Sequence, residues 1–397
     1  MGARASRDTP RARRPDLATA VTVMDEAFWG ARAASIDALE RELARLRRAA
    51  VAHARERGQA LARASVLNLV VYAEREIHAR RAARAVADLA LRHPSRAIIV
   101  LGDRRRDGVL ASLQLHCHVP RSDGAQPVLY EQILARVRGD FDERVASVVI
   151  PLLVPDLPVF LWWTGTPPSD GRHVDDLVTL ADRLIVDSAD FARADLTLPE
   201  VARLARFRVG ITDLNWARLT DWRELIAQFF DVPAWRPFLN GITGIRAGFA
   251  VDMDGRDIHP SQALLLLGWL ASRLAWRPVE RLAPSEAGGV LFKMAGSDDA
   301  AVMVRLRPRF ERGLDAGDVS GVRIQAALGG ESAEFVIKRA PDQRHATATA
   351  IVGGTVRAER VVPLPALGIR ELLGEELTIA GNDHVYEAAL ATLMALA

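Results

Sequence analysis

Residues 147–168 read SVVIPLLVPDLPVFLWWTGTPP, and the way this stretch divides sets the class of fold. It carries one charge, Asp156, five prolines and the adjacent Trp162 and Trp163. Its first half extends a helical pattern, because Phe141, Val145, Val148, Val149, Leu152 and Leu153 fall on one face at the 3.6-residue period. The helix cannot run on, since Pro155 and Pro158 each remove a backbone donor and push the preceding residue extended. Val159–Trp163 therefore reads as a short, fully buried central strand reached through a turn at Asp156. Thr164 to Pro168 ends that strand, and in an open α/β sheet the loop leaving a strand's carboxyl end is where ligands or partners meet the domain. Internal prolines and Asp156 argue against a membrane-spanning helix over the same run.

Upstream, Ile36, Leu39, Leu43 and Leu46 recur three and four apart within 35–57, the mark of an amphipathic helix with a charged outer face. Residues 65–72 are rich in branched and aromatic side chains and suit a buried strand; 74–92 reads as a helix ended by His93-Pro94, and 97–101 as a second strand. Together they make a parallel βαβ unit. Residues 109–119 alternate as a third strand, and 130–133 start another strand or a helical turn. Downstream, a helix at 174–181, a strand at 184–187, a helix at 198–207 and a strand at 208–214 continue the alternation. The pattern from 65 to 214 predicts a mainly parallel, doubly wound sheet with helices.

At Asn215 the character changes. Trp216, Leu219, Trp222, Leu225, Ile226 and Phe229 sit at helical spacing, Pro233 and Pro237 close a hinge, and 261–276 reads as a helix apolar nearly all round. Short strands at 290–294, 301–306, 322–328, 333–338 and 347–351 then alternate with Gly and Pro turns, predicting an antiparallel sheet finished by helices near 366–373 and 383–396. The expected organisation is α/β plus α+β: a disordered basic tail over 1–34, an amino-terminal α/β domain over 35–214 and a carboxy-terminal α+β domain over 215–397.

The 397 residues suit about two domains. The 52 basic and 50 acidic residues nearly balance, which argues against a dedicated nucleic-acid binder. Lys293 and Lys338 are the only lysines, and the prevalence of Arg and Ala looks like the imprint of a GC-rich genome, so arginine clusters carry little weight as phosphate sites. Cys117 stands alone, which excludes an intrachain disulfide and a cysteine-rich zinc site and fits a reduced cytoplasm. His116 and His118 point the same way on a strand but lack an obvious third ligand, so no metal is expected.

No phosphate-cradling glycine motif follows the first strand, and no GxSxG, HExxH or CxxC occurs. Ser188 follows Asp187 at a strand end, where nucleophiles can sit, but has no identifiable base, which favours a helix- or turn-capping role. The segment His93-Pro94-Ser95-Arg96 is the most site-like: Ser95 and Arg96 could bind an anion such as a sugar phosphate, or tie down backbone and carboxylate groups at a strand start. Two folding units with few convergent catalytic groups favour a binding or assembly protein with no cofactor of its own.

The strings SVLNLVVY (65–72), HPSRAIIV (93–100), ASVVIPLLVPDLPVFLWWTGTPP (146–168), ADRLIVDSADF (181–191), DLNWARLTDWRELIAQFFD (213–231) and LGWLASRLAW (267–276) resemble, in order and spacing, the glucose-6-phosphate dehydrogenase assembly protein OpcA family. The resemblance implies a non-enzymatic, cytoplasmic bacterial protein that binds glucose-6-phosphate dehydrogenase and promotes its assembly or activation for the oxidative pentose phosphate pathway. Redox control through cysteine, associated with cyanobacterial relatives, finds little support in the lone Cys117. Interfaces favour Trp and Arg at their centres, so Trp163, Thr164, Gly165 and Thr166, then Arg96, then Trp216 and Arg218, are the expected partner-binding residues. The competing expectations are a sugar-phosphate- or nucleotide-dependent enzyme, or an allosteric sensor, using the segment from His93 to Arg96.

Overall fold

The computed structural model describes residues 26–396 apart from 34, 57, 59–61, 64, 91, 104–107, 119–127, 139–144, 169–171, 192–193, 205–208, 254–259, 282, 285–288, 297–298 and 379–380. The amino-terminal half runs β1 (Glu26–Ala33), α1 (Ile36–Glu56), β2 (Ala62–Arg63), β3 (Leu67–Ala73), α2 (Glu76–Leu89), β4 (Ser95–Asp103), β5 (Gly108–His118) and β6 (Val128–Arg138). It continues through α3 (Val145–Val149, prolonged by a 3-10 turn), β7 (Val159–Trp163), α4 (Arg172–Leu180), β8 (Arg183–Val186), α5 (Ala194–Arg203) and β9 (Gly210–Asp213). Next come α6 (Leu214–Ala217), α7 (Thr220–Phe230), β10 (Ile242–Val251), α8 (Ser261–Arg273), β11 (Arg277–Pro278), β12 (Ala283–Pro284) and β13 (Val290–Ala295). The chain ends with β14 (Ala301–Phe310), β15 (Val319–Leu328), β16 (Glu331–Arg339), β17 (His345–Val352), β18 (Thr355–Pro363), α9 (Ile369–Glu376) and α10 (His384–Met394).

The first sheet has the order β1-β5-β6-β4-β3-β7-β8-β9, with β2 beside β6. Its strands from β6 to β9 are all parallel. Counted along the chain, these strands stand in the order 3-2-1-4-5-6, that of a dinucleotide-type doubly wound sheet, and the winding reverses between β3 and β7. Every residue of β3, β8 and β9 is buried, as helices on both faces require. One face packs Trp163, Leu161, Tyr72 and Val70 against α1, α3 and α4, while the other packs Trp162, Val71 and Leu69 against α2. Antiparallel β5 and β1 extend the edge, so residues 26–33, expected in the tail, are strand; residues 1–25 lie outside the described residues.

The proline-rich connection before β7 is held from inside. Asn68 on β3 donates to the carbonyls of Val154 and Leu157 (3.0 and 3.2 Å) and accepts from the Val154 amide (2.8 Å). A buried amide thereby satisfies backbone groups that the prolines leave without ladder partners. Asp156 takes the left-handed conformation (φ 63°) at the turn, which Asp tolerates better than most side chains.

The second sheet has the order β11-β13-β14-β10-β15-β16-β17-β18, with β12 beside β13. It is antiparallel as expected except for the pair β10–β14, which is parallel. Its inner face is apolar: Phe335 meets Phe230 and Phe229 of α7 with ring centroids 4.8 and 5.3 Å apart. The helix expected over 216–230 is two helices, α6 and α7, separated at Arg218–Leu219. Helix α8 is buried almost throughout, and α9 returns to the first sheet, setting Leu372, Leu373 and Leu377 among the residues of α2.

Candidate functional site

The carboxyl ends of β3 and β7, where the winding reverses, form the natural crevice of such a sheet. Here that position is filled by side chains. Trp163 stacks on Tyr72 with ring centroids 3.9 Å apart, His173 lies 5.9 Å from Trp163, and Trp163 is 0% exposed. The β3–α2 turn carries no glycine, and Glu76 occupies the first turn of α2, hydrogen-bonded by Arg136 and Arg80. These arginines, Arg136 chiefly, hold the Glu76 carboxyl below its ordinary range. A carboxylate already complements the helix terminus that would receive a pyrophosphate, so these residues do not fit a dinucleotide.

Beyond β7, Gly165 adopts φ +79° and lies beside His78, whose ring would be 3.4 Å from a Cβ placed there. Arg81 pairs with Asp190 at 3.6 Å, and burial raises the Asp190 carboxyl while lowering the His78 imidazole.

The densest polar cluster sits one step along, where β8 and β9 end against α6, α8 and α10. Arg218 grips Asp187 with both terminal guanidinium nitrogens (2.6 and 2.9 Å). Burial alone would lower this guanidinium, but the Asp187 charge outweighs it and the Arg218 pKa rises. Asp213 accepts from the amides of Ser188 (2.9 Å) and Asn215 (2.8 Å) and from the Tyr386 hydroxyl (3.3 Å). Complete burial, reinforced by the Asp187 charge, pushes the Asp213 carboxyl up to about 7. Asn215 donates to Ser188 (3.1 Å) and Ser261 (3.0 Å), and Gln262 donates to Asn215 (3.0 Å) and Asp318 (2.8 Å). The Trp216 indole donates to Asp383 at 2.8 Å. Ser188 and Asp213 are both 0% exposed, so this serine cannot meet a substrate; the cluster fastens the first sheet to the second.

The residues expected to contact a partner are thus placed as follows. Thr164 donates its hydroxyl to the Tyr72 carbonyl (2.9 Å); it and Gly165 are buried beside Trp163, with Thr166 half-buried. Trp216 is buried and Arg218 half-buried in the polar cluster. A side chain with no exposed surface offers nothing for a partner to cover, so Trp163 and Trp216 act as core in this structure. Arg96 is 7% exposed, donating to Glu131 (2.8 Å) and to the Leu152 carbonyl (2.9 Å), while Arg47 grips the same carboxylate (2.6 and 2.8 Å). Arg96 and the buried Ser95 therefore anchor a strand and do not present an anion site. The side chains of His116, Cys117 and His118 lie outside the described residues. Among the described residues, no three His, Cys, Asp or Glu side chains gather as metal ligands, and no helix is long and apolar enough to cross a membrane.

Asn215, Gln262, Asp318 and Asp213, which sequence reasoning passed over, are the residues the structure converges. Only the aspartates at the ends of β8 and β9 left a visible signal, each capping the turn that follows.

Residues 86–203 match the family described as glucose-6-phosphate dehydrogenase subunit N-terminal domain, and residues 209–390 the corresponding C-terminal domain. A Synechocystis sp. protein provisionally named OxPP cycle protein OpcA is 30% identical over 330 residues, 78% of this chain and 65% of that protein. A Nostoc punctiforme protein of the same name is 34% identical over 197 residues, 49% of this chain and 41% of its own. The chain thus spans less than two thirds of the length of these two relatives. Among solved structures, levoglucosan dehydrogenase in complex with NADH and L-sorbose is similar at TM-score 0.47 and 12% identity, over 84% of this chain and 96% of that one. An NAD binding oxidoreductase from Klebsiella pneumoniae is similar at TM-score 0.42 and 14% identity, over 84% and 96%. At that distance no chemistry passes to this chain. With both of its halves matched in order by the paired domains, this chain belongs to the OpcA family of glucose-6-phosphate dehydrogenase subunit proteins.

Proposed function

We propose that this protein is a non-catalytic partner of glucose-6-phosphate dehydrogenase that supports its assembly or activity, and through it the OxPP cycle. The observation that carries the reading is the match of 86–203 and 209–390 to domains described as parts of a glucose-6-phosphate dehydrogenase subunit. The site chemistry supports it: the switch-point crevice is plugged by Trp163 and Tyr72, Glu76 occupies the phosphate end of α2, and Ser188 is sealed. The catalytic work then belongs to the partner. Cytoplasmic residence follows from that partnership.

The test is an assay of the dehydrogenase from the same genome, with and without the full chain, reading turnover and oligomer size together. A changed rate or a shifted elution position carrying both chains is expected. Unchanged activity with no co-elution, or turnover of glucose 6-phosphate by this chain alone, overturns the proposal. Contact residues belong on the exposed surface, so a surface-charge series is a better probe than Trp163→Ala or Arg96→Ala, which would read stability.

A further inference from the structure

The outer face of the second sheet faces solvent, and its cations are arranged by register. Arg246 on β10 stands directly across from Arg305 on β14 and from Arg323 on β15, three guanidiniums in a line over three strands. In the next line that points the same way, Arg307 stands across from Gly248, Gly248 across from Gly321, and Gly321 across from Lys338. Two cations thus flank two bare glycines in mid-strand. Arg309 leans over the same spot, its Cδ 3.5 Å from where a Gly248 Cβ would be, and the buried Ser320 hydroxyl would be 2.8 Å away. The result is a trough of about 230 Å³ walled by Arg246, Arg307, Arg309, Arg323 and Lys338.

Arginine is abundant throughout this chain, but abundance does not explain register. Like charges placed directly opposite across a sheet are destabilising. Glu334 pairs with Arg323, and Glu311 stands at the rim. Among the described residues no carboxylate pairs with Arg246, Arg305, Arg307, Arg309 or Lys338 in an ion pair. Burial, then the charges of Arg307, Arg305 and Arg323, lower the Arg246 pKa against the opposing charge of Glu334, so the neighbouring cations outweigh the nearby carboxylate. Glycine in mid-strand is itself costly, and it is found where another group must approach the backbone closely.

We propose that this trough binds a multiply charged phosphate anion, the phosphate or pyrophosphate group of a small metabolite, seated over Gly248 and Gly321 and held by Arg246, Arg307, Arg309 and Lys338. Guanidinium forks match phosphate oxygens two at a time, and a concave floor between them suits a compact anion better than the flat carboxylate rim of a protein surface. The site is distinct from the crevice of the first sheet and requires no dehydrogenase.

Titration of the full chain alone with inorganic pyrophosphate, at constant ionic strength set by KCl, tests this through the melting temperature and by calorimetry. Glucose 6-phosphate and ADP in parallel arms distinguish a sugar phosphate from a nucleotide as the natural source. Pyrophosphate should raise the melting temperature, and Arg246→Gln with Arg307→Gln should weaken binding about a hundredfold, two charge-assisted contacts being lost. The same double variant, free of ligand at low salt, should melt higher than the wild type because the repulsion is relieved. No binding by the wild type, undiminished binding by the variant, or a shift that KCl alone reproduces overturns the proposal. So does loss of dehydrogenase capture by the variant when no small anion binds, since the face would then be a protein-docking surface.

Discussion

Asp213 shows how much of this molecule depends on single buried groups. Its carboxyl titrates near 7 in the folded chain against an ordinary value of 3.8, because burial and the Asp187 charge disfavour ionisation. Between pH 4 and 7 the folded state therefore holds a proton that the unfolded state has released, so Asp213's contribution to stability is present at low pH and is lost as pH rises through about 7. Asp213→Asn keeps an oxygen for the Ser188 and Asn215 amides and removes the titration. Denaturant melts should show the variant matching the wild type near pH 4 and exceeding it by up to about 4 kcal/mol at pH 8, since each tenfold change in proton affinity between the two states is worth roughly 1.4 kcal/mol. A second residue-scale expectation concerns Arg96: Arg96→Ala strips one of two guanidiniums from the buried Glu131 and should cost about 3–5 kcal/mol in the same melts. Arg96 and Trp163 stood out in the sequence as unusual residues, and that much was legible. Their burial was not, because what covers a side chain is set by distant residues: Glu131 lies 35 positions from Arg96, and Arg47 lies 84 from Glu131.

Elements show the same division. The approach of α8 to α10 is set at Gly268, where a Cβ would stand 2.7 Å from the Ala389 carbonyl oxygen and 3.0 Å from Leu393. Gly268→Val should force the helices apart and cost about 1–3 kcal/mol in urea melts without altering the far-ultraviolet spectrum. Most elements were legible from their apolar pattern: β7 as an unbroken apolar run, β3 as one interrupted only by Asn68, β16 and β17 as alternating ones, α1 by its leucines. Strands β10 and β18 were not. In β10, Arg246 and the glycines at 244 and 248 dilute the period-2 signal with residues of the outer face. Strand β18 is an edge exposed along nearly its whole length, so no apolar face marks it. The parallel pairing of β10 with β14 has no local signature, since β10 inserts between β14 and β15 and only the closed sheet reveals its direction.

At the scale of the molecule, composition and the change of pattern at Asn215 suggested separable halves, yet burial ties them together. One hydrophobic cluster runs from Leu39 of α1 and Val70 of the first sheet through Trp222 and Leu265 to Phe335 and Ala348 on the second. Helix α9, close to the carboxyl end of the chain, covers α2 and the face of the first sheet, and Glu376 within it accepts from Thr212 of β9 at 2.5 Å. Burial lifts the Glu376 carboxyl, with Thr212 and Arg183, 3.7 Å away, opposing the shift. A fragment ending at residue 214 would leave Leu89, Val86, Ala82 and Trp162 without the leucines of α9 and would strand Arg183 without its carboxylate. Uncovering apolar surface costs about 25 cal/mol per Å², and a domain holds only about 5–15 kcal/mol of stability to set against it. The full chain should therefore unfold in one calorimetric transition, and fragment 1–214 should fail to give a cooperative melt unless fragment 215–397 is added. Two resolved transitions in the intact protein, or a stably folded 1–214, would show that the sheets stand independently and that the Asn215–Gln262 cluster only links them.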